Sequence, residues 1–385
     1  MPAKSDRAKR ILIPYFLAGS GHLVSARAIS AFLLRKRPDW EVRLFEPADE
    51  FKSKALDSFF RRSWHLVLNR PKLAAMAFTL LDSLLPFIPI AINTAIMRRE
   101  MPHARNLIEN YRPDLIVTTH WGCGHLFQST RLEYGIDVPL YLVRNDLGGA
   151  FQIQDCGCDL TFVMSESARD AFLEIGVLEE RIRQVNLLVR PEFLPDATSK
   201  QLARRRIGVD DDNTVVLISA GGEGLGSMEE YARATVDVLG DGGRRLRLFV
   251  LAGRNSELFD QLNGMFTDQR VTVLSYQEKM HEVMSAADFV VGKCGANYTM
   301  ESLMMRKLFV ITQVGAPNEE FNMRFVVDNQ LGWYAPTTEA YREVLESYLR
   351  NDPAIREVRD RLEAFPRTSG AEQIADVIVN RLEQA

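Results

Sequence analysis

At 385 residues the chain is too long for one ordinary domain and fits two of roughly 150–200 residues each. With 46% hydrophobic and 25% charged residues it can bury full cores, and a formal net charge of −4 excludes a general attraction to nucleic acid or anionic lipid. Four cysteines (Cys123, Cys156, Cys158, Cys294) form no CxxC pair and, with six scattered histidines, no zinc spacing. Reduced thiols in a cytosol are expected, although Cys156-Gly157-Cys158 also has the spacing of a ligand or redox pair.

Met1 to Arg10 is basic and polar, with no apolar stretch before a small-residue cleavage site, so no signal peptide is expected. The first strand follows at Ile11–Tyr15. Ala18-Gly19-Ser20-Gly21-His22 then leads into a helix from about Leu23 to Lys36. Glycines permit a tight turn, and the helix start presents unpaired N–H groups beside the titratable His22. A purely structural turn accounts for the same pattern.

After a second strand at Glu41–Phe45 the composition changes. Lys52 to Lys72 holds six basic residues (Lys52, Lys54, Arg61, Arg62, Arg70, Lys72) against Asp57 alone, and Leu73 to Met97 is 25 residues with one charge, Asp82. Pro86 and Pro89 interrupt that run, which therefore reads as broken or amphipathic helices at a membrane interface rather than a span. Leu84, Phe87 and Ile88 would insert while Arg61, Arg62, Arg70 and Lys72 meet an anionic surface. A buried pair of core helices is the competing reading.

Leu115–Thr119, Leu140–Val143 and Leu160–Met164 complete the first strand series. Arg190-Pro191-Glu192-Phe193-Leu194-Pro195 is a linker, which gives a first domain over 1–195 and a second over 196–370. The second series runs Thr214–Ser219, Arg247–Leu251, Val271–Leu274, Phe289–Val291 and Phe309–Thr312. Short β-rich runs alternating with helical stretches predict an α/β chain of two doubly wound, Rossmann-like domains facing a cleft. An amphipathic helix over 371–385 is expected to cross back toward the first domain. Ligands of such sheets sit beyond the carboxyl ends of the strands, so the loops there carry the chemistry.

Three of those loops are informative. Ser219-Ala220-Gly221-Gly222-Glu223-Gly224-Leu225-Gly226 suits an anion-binding turn, but no Gly-Lys-Ser/Thr follows as in a Walker A loop. Gly292-Lys293-Cys294-Gly295-Ala296-Asn297-Tyr298-Thr299-Met300-Glu301 joins a strand to a helix whose start can hold a diphosphate, and Glu301 is placed to accept from a ribose. Gly315-Ala316-Pro317-Asn318-Glu319-Glu320-Phe321-Asn322 gathers the amides and carboxylates that sugar hydroxyls need. Generic α/β turns and solvated helix starts are the plainer alternatives at each.

In this order the loops resemble those of the GT-B glycosyltransferases, most closely the branch of monogalactosyldiacylglycerol synthase and processive diacylglycerol glucosyltransferase. The similarity runs from Ile11 to about Trp333 and is most specific at Ala287 to Gly295 with Thr299, Glu301, Asn318, Glu319 and Asn322. Asn318 stands where the family has glutamine. The resemblance implies that Gly222, Gly224 and Gly295 to Asn297 (with Ala296 between) approach the phosphates, that Glu301 holds the ribose, and that Asn318 and Glu319 hold the hexose. It further implies that Tyr276 and Met280 lie at the uracil, that Gly21 and His22 end the first glycine-rich loop, and that Asp146 of Arg144-Asn145-Asp146 is a candidate base; His22, expected on the same wall of the cleft, is the other candidate.

The expected activity is inverting transfer of a hexose from a UDP-sugar to a lipid such as diacylglycerol, on the inner face of the cell membrane. No metal is expected to be required, since the acidic cluster Asp210-Asp211-Asp212 precedes a strand and reads as a solvated turn. A GT-B transferase with a soluble or polyprenyl-linked acceptor, a UDP-sugar epimerase of the same architecture, and a non-catalytic binding protein are the alternatives.

Overall fold

The computed structural model describes residues 7–17, 21–62, 87–148, 155–195, 197–219, 228–240, 245–316 and 318–384; of 61–62 and 87–96 it describes the backbone alone. Chain packing divides into two units. The first comprises 1–191, 316–318 and 368–385; the second comprises 192–315 and 319–367. The change falls at Pro191/Glu192, within the proline-bearing segment read as a linker.

The first unit is built on six strands: β1 (Arg10–Pro14), β2 (Glu41–Phe45), β3 (Leu115–Thr118), β4 (Leu140–Val143), β5 (Leu160–Val163) and β6 (Ile182–Gln184). They pair in parallel in the order β2-β1-β3-β4-β5-β6. β3 and β4, which read LIVT and LYLV, are buried throughout, as expected for central strands covered on both faces. The order reverses direction between β1 and β3. That is the topological switch point, where the loops after two neighbouring strands diverge and leave a crevice.

The second unit carries β7 (Thr214–Ser219), β8 (Leu246–Gly253), β9 (Val271–Ser275), β10 (Phe289–Lys293), β11 (Leu308–Gln313) and β12 (Gly332–Tyr334). Their parallel order is β12-β11-β10-β7-β8-β9, so the switch point lies between β10 and β7. Asp288 fixes this pair at its start: Oδ2 accepts from Val215 N at 2.8 Å and from Arg204 Nη2 at 2.8 Å. At its far end β10 slips register between Gly292 and Lys293.

The helices that bear on the site are α1 (Gly21–Lys36), α2 (Phe87–Tyr111), α3 (Trp121–Tyr134), α4 (Ala296–Met304), α5 (Glu319–Asp328) and α6 (Gly370–Gln384). α1 starts at Gly21, two residues earlier than the sequence suggested, so Gly21 and His22 form its first turn rather than the preceding loop. α6 packs on α1 in the first unit. Of the residues expected to meet a membrane, Arg70, Lys72 and Leu84 lie outside the described residues, Arg61 and Arg62 close a short π-helical stretch, and Phe87 and Ile88 open α2. Pro89, expected to break a helix, sits in the first turn of α2, where the missing N–H costs no intrahelical bond. Among the described residues no helix is long and apolar enough to cross a membrane.

Candidate active site

At the switch point of the first sheet, the loops after β1 and β3 bring two histidines together. His22 comes from the first turn of α1, and Thr119-His120 directly follows β3. The rings of His22 and His120 stand 4.4 Å apart, edge to face. His120 is buried and caps α3, its Nδ1 accepting from Gly122 N at 2.9 Å. His22 Nδ1 lies 2.5 Å from the carbonyl oxygen of Thr119, and Thr119 Oγ1 returns a bond to the carbonyl of His22 at 2.9 Å.

A carbonyl oxygen only accepts, so Nδ1 of His22 carries a proton. In the neutral ring the lone pair is then on Nε2, the arrangement of a general base. Neutrality is favoured: burial lowers the His22 pKa below 6.5, and Arg144 adds to this, against the opposing pull of the Thr119 carbonyl and Asp146. His120 is held well below 6.5 too, first by burial, then by His22, Arg144 and His125.

The segment after β4 closes this cluster. Asn145 is buried; its Nδ2 lies 3.3 Å from Thr119 O and 3.0 Å from His22 Nδ1. Two donors cannot satisfy each other. The Asn145 amide nitrogen therefore donates to the Thr119 carbonyl and only packs against His22 Nδ1, while its Oδ1 has no partner among the described residues. Asp146 is engaged on both oxygens: Oδ2 accepts from Arg144 Nη2 at 3.1 Å and Oδ1 from Asn318 Nδ2 at 3.3 Å. Thus Asn318, expected beside a sugar, is bonded here to the other base candidate. Arg144, Asn145, Thr119 and His120 were not singled out as site residues from sequence. The available signal was position, since all four follow directly on β3 or β4 next to the switch point.

In the second unit the site gathers after β10. Gly292 has φ +149°, and a Cβ on it would stand 1.8 Å from the Ser219 carbonyl oxygen of β7. Only glycine permits that approach of the two strand ends. Gly295 is the N-cap residue of α4 and offers no side-chain cap bond, leaving the first N–H groups of Ala296 and Asn297 for an acceptor from outside. Thr299 and Asn322 are buried, and Thr299 Oγ1 and Asn322 Oδ1 have no partner among the described residues, while Asn322 Nδ2 donates to Cys294 O at 2.9 Å. Glu301 is buried on α4. Cys294 wedges between loops with Sγ 3.5 Å from Gln313 O and 3.4 Å from Glu319 O, and burial pushes its thiol up to about 12.

Glu319 is buried and doubly held, by Lys293 Nζ at 2.9 Å and by Gly315 N at 2.7 Å. Tyr276 is exposed under the guanidinium of Arg254, 3.9 Å from its ring centre, and Met280 begins the helix Met280–Ala286. Gly222 and Gly224 lie outside the described residues. All four cysteines are free and buried, and Asp210, Asp211 and Asp212 are exposed. Among the described residues no three histidine, cysteine, aspartate or glutamate side chains group as a metal site.

With this geometry in hand, residues 215–378 match the glycosyltransferase family 28 C-terminal domain. The chain has the GT-B fold, as likeness to the crystal structure of MurG from Acinetobacter baumannii shows: TM-score 0.60 over 97% of this chain and 99% of that one, at 13% identity. It is a glycosyltransferase of that fold. In particular it resembles the monogalactosyldiacylglycerol synthases. It is 28% identical to the probable monogalactosyldiacylglycerol synthase 2 of Oryza sativa subsp. japonica over 99% of this chain and 82% of the relative. To monogalactosyldiacylglycerol synthase 1 of Arabidopsis thaliana it is 26% identical over 92% of this chain and 67% of the relative.

Proposed function

We propose that the protein transfers a hexose from a UDP-sugar to the hydroxyl of a diacyl lipid at a membrane surface, inverting the anomeric centre. The observation that carries this reading is His22, a neutral histidine whose Nδ1–H is committed to the Thr119 carbonyl and whose Nε2 is therefore basic. In the reaction Nε2 takes the proton of the acceptor hydroxyl as its oxygen bonds to the anomeric carbon. The bond from that carbon to the diphosphate breaks, and UDP leaves with the electron pair. Gly295, Ala296 and Asn297 stabilise the departing phosphate with main-chain N–H groups and the helix dipole, worth roughly half a charge. Glu301 holds the ribose, Glu319 and Asn318 the hexose, and the backbone near Tyr276 and Met280 the uracil. Gly222 and Gly224 complete the phosphate site. No metal ion takes part in this scheme.

Of the two base candidates His22 is favoured. Asp146 already accepts on both oxygens, from the Arg144 guanidinium and from the Asn318 amide, whereas Nε2 of His22 keeps a lone pair once Nδ1–H is committed to Thr119. Its role is to orient and to support the imidazolium that forms.

The lipid acceptor follows from the resemblance and from the basic and apolar residues between Lys52 and Arg99. Withdrawing two acyl chains into water costs on the order of 25 kcal/mol, at roughly 0.8 kcal/mol per methylene, so the enzyme goes to the bilayer. Each Lys or Arg near an anionic surface contributes about 1 kcal/mol, enough in sum for reversible docking on the inner, cytoplasmic face of the membrane.

The test is to incubate purified protein with diacylglycerol in anionic vesicles and a panel of UDP-sugars, following UDP release and glycolipid together. Glycolipid formed at the same rate in EDTA is the expected result. UDP release that needs no lipid, or interconversion of UDP-sugars without any acceptor, overturns the assignment. Replacing Arg61, Arg62, Arg70 and Lys72 with glutamate is expected to abolish vesicle binding while leaving UDP binding intact.

A further inference from the structure

The donor loops combine two tasks, holding a diphosphate at the start of α4 and recognising hydroxyls through Glu319, and Lys293 stands where the two meet. It is the last residue of β10, two residues before the N-cap of α4. Its ammonium contacts Glu319 Oε1 at 2.9 Å, with side-chain exposures of 18% for the lysine and 9% for the glutamate. Glu319 Oε2 accepts from Gly315 N at 2.7 Å. The Lys293 side chain passes close to Gly315, where a Cβ would meet its Cδ at 2.7 Å and its Nζ at 2.9 Å. A Cβ on Gly295 would lie 3.7 Å from Glu319 Oε1 and 3.9 Å from Lys293 Cε. Ammonium, carboxylate and helix start thus share one small volume.

A carboxylate held this way is a poor receptor for sugar hydroxyls, since its oxygens already accept from an ammonium and an amide. A diphosphate at the helix start changes the balance. It offers the ammonium more charge and more acceptor oxygens than one carboxylate does, at the same place. We propose that Lys293 is a relay cation: a bound diphosphate draws its ammonium from Glu319, and the released Oε1 then accepts from a hydroxyl of the hexose. Sugar recognition is thereby switched on by the nucleotide to which the sugar is attached, and a free hexose meets a neutralised glutamate. This rests on the donor-site reading above.

The proposal fixes signs that a merely structural ion pair does not. If Glu319 competes with the diphosphate for Lys293, removing its charge strengthens UDP binding. If the pair only holds the loops in shape, the same change weakens it. Calorimetric titration of the full chain with UDP, UDP-glucose and UDP-galactose separates the two. Glu319→Gln is expected to bind UDP about fivefold more tightly, at the low end of coupling between linked sites, and to lose the extra affinity for whichever UDP-hexose the unaltered protein prefers. Lys293→Met is expected to bind UDP about tenfold more weakly, with Lys293→Arg restoring it, and the double variant Lys293→Met with Glu319→Gln shows no gain over Lys293→Met. Glu319→Asp, too short to reach the ammonium while keeping a carboxylate, gives a second reading in the same direction as Glu319→Gln.

Folded Glu319 variants that bind UDP equally or more weakly overturn the relay while leaving the donor site standing. An unaltered protein that binds neither UDP nor a UDP-hexose overturns the donor-site reading and the relay with it.

Discussion

In the proposed mechanism His22 concentrates the chemistry of the first unit in one lone pair. Its ring is kept neutral by burial and by Arg144, so the base form dominates at neutral pH. We expect kcat/KM to be level around neutrality and to fall on the acid side with a midpoint below 6.5, because only the deprotonated ring accepts the hydroxyl proton. His22→Ala is expected to lower kcat by about 10²–10⁴-fold with UDP affinity unchanged. Asp146 raises the His22 pKa, so Asp146→Asn moves the acid limb to still lower pH and costs less rate than His22→Ala. A pH–rate profile of both variants decides, and an Asp146→Asn loss as deep as that of His22→Ala returns the role of base to the aspartate.

His120 carries a stability consequence of the same sign. Its folded pKa lies well below 6.5, so the unfolded chain binds a proton that the native chain refuses. The contribution is complete above the ordinary value of 6.5 and is lost as pH falls below it, at up to about 1.4 kcal/mol per pH unit. His120→Asn keeps a helix-capping acceptor and removes the titration, and denaturant unfolding at acid and neutral pH should show the slope flattened. His22 was legible in the sequence because a Gly-Ser-Gly turn announces it. His120, in Thr-Thr-His-Trp, has no such flag, and only the pairing of β3 beside β1 gives it a neighbour.

At the scale of elements, the long apolar runs read correctly to within a residue or two, whereas β6 and β12 went unread. Both are three-residue edge strands, Ile-Arg-Gln and Gly-Trp-Tyr, with half or more of their side chains facing water, too short and too mixed for any periodicity. Glycines were legible as positions but not as reasons. Gly21 reads as a turn residue, yet it is helical, and a Cβ on it meets nothing within 4 Å among the described residues. Gly292, by contrast, has φ +149° and would drive a Cβ to 1.8 Å from the Ser219 carbonyl, where backbone cannot yield without parting β10 from β7. Gly292→Ala is therefore expected to cost about 3 kcal/mol or more in chemical denaturation. Gly21→Ala should leave stability unchanged or raise it by up to about 1 kcal/mol. Equal losses at the two positions would show that close approach at the end of β10 is not what selects Gly292.

Across the whole molecule, chain order and packing part company at the C-terminus. α6 follows the second unit in sequence but completes the first, burying Ala371, Ile374, Ala375, Ile378 and Leu382 along one stripe against α1. The stripe was legible from its helical spacing; its destination was an extrapolation, because nothing in an amphipathic pattern names the surface it covers. The chain is anchored as it arrives. Ser369 Oγ donates to Val189 O at 2.7 Å and accepts from Val189 N at 3.0 Å, and Gly370 N donates to Leu187 O at 2.9 Å. The ion pairs at the rim, Lys36 with Asp376 at 2.8 Å and with Glu372 at 3.6 Å, lie in partly exposed positions and are worth at most about 1 kcal/mol each. Burial of the two isoleucines dominates, since truncating one to alanine costs about 2–5 kcal/mol. Ile378→Ala should consequently strip hydrogen-exchange protection from α1, β1 and β2, far away in sequence, and leave β7, β8 and β10 protected as before. Lys36→Ala should change neither. If Ile378→Ala instead loosens the second sheet first, the helix belongs energetically with its neighbours in sequence, and the first unit must draw its stability from β1 to β6 alone.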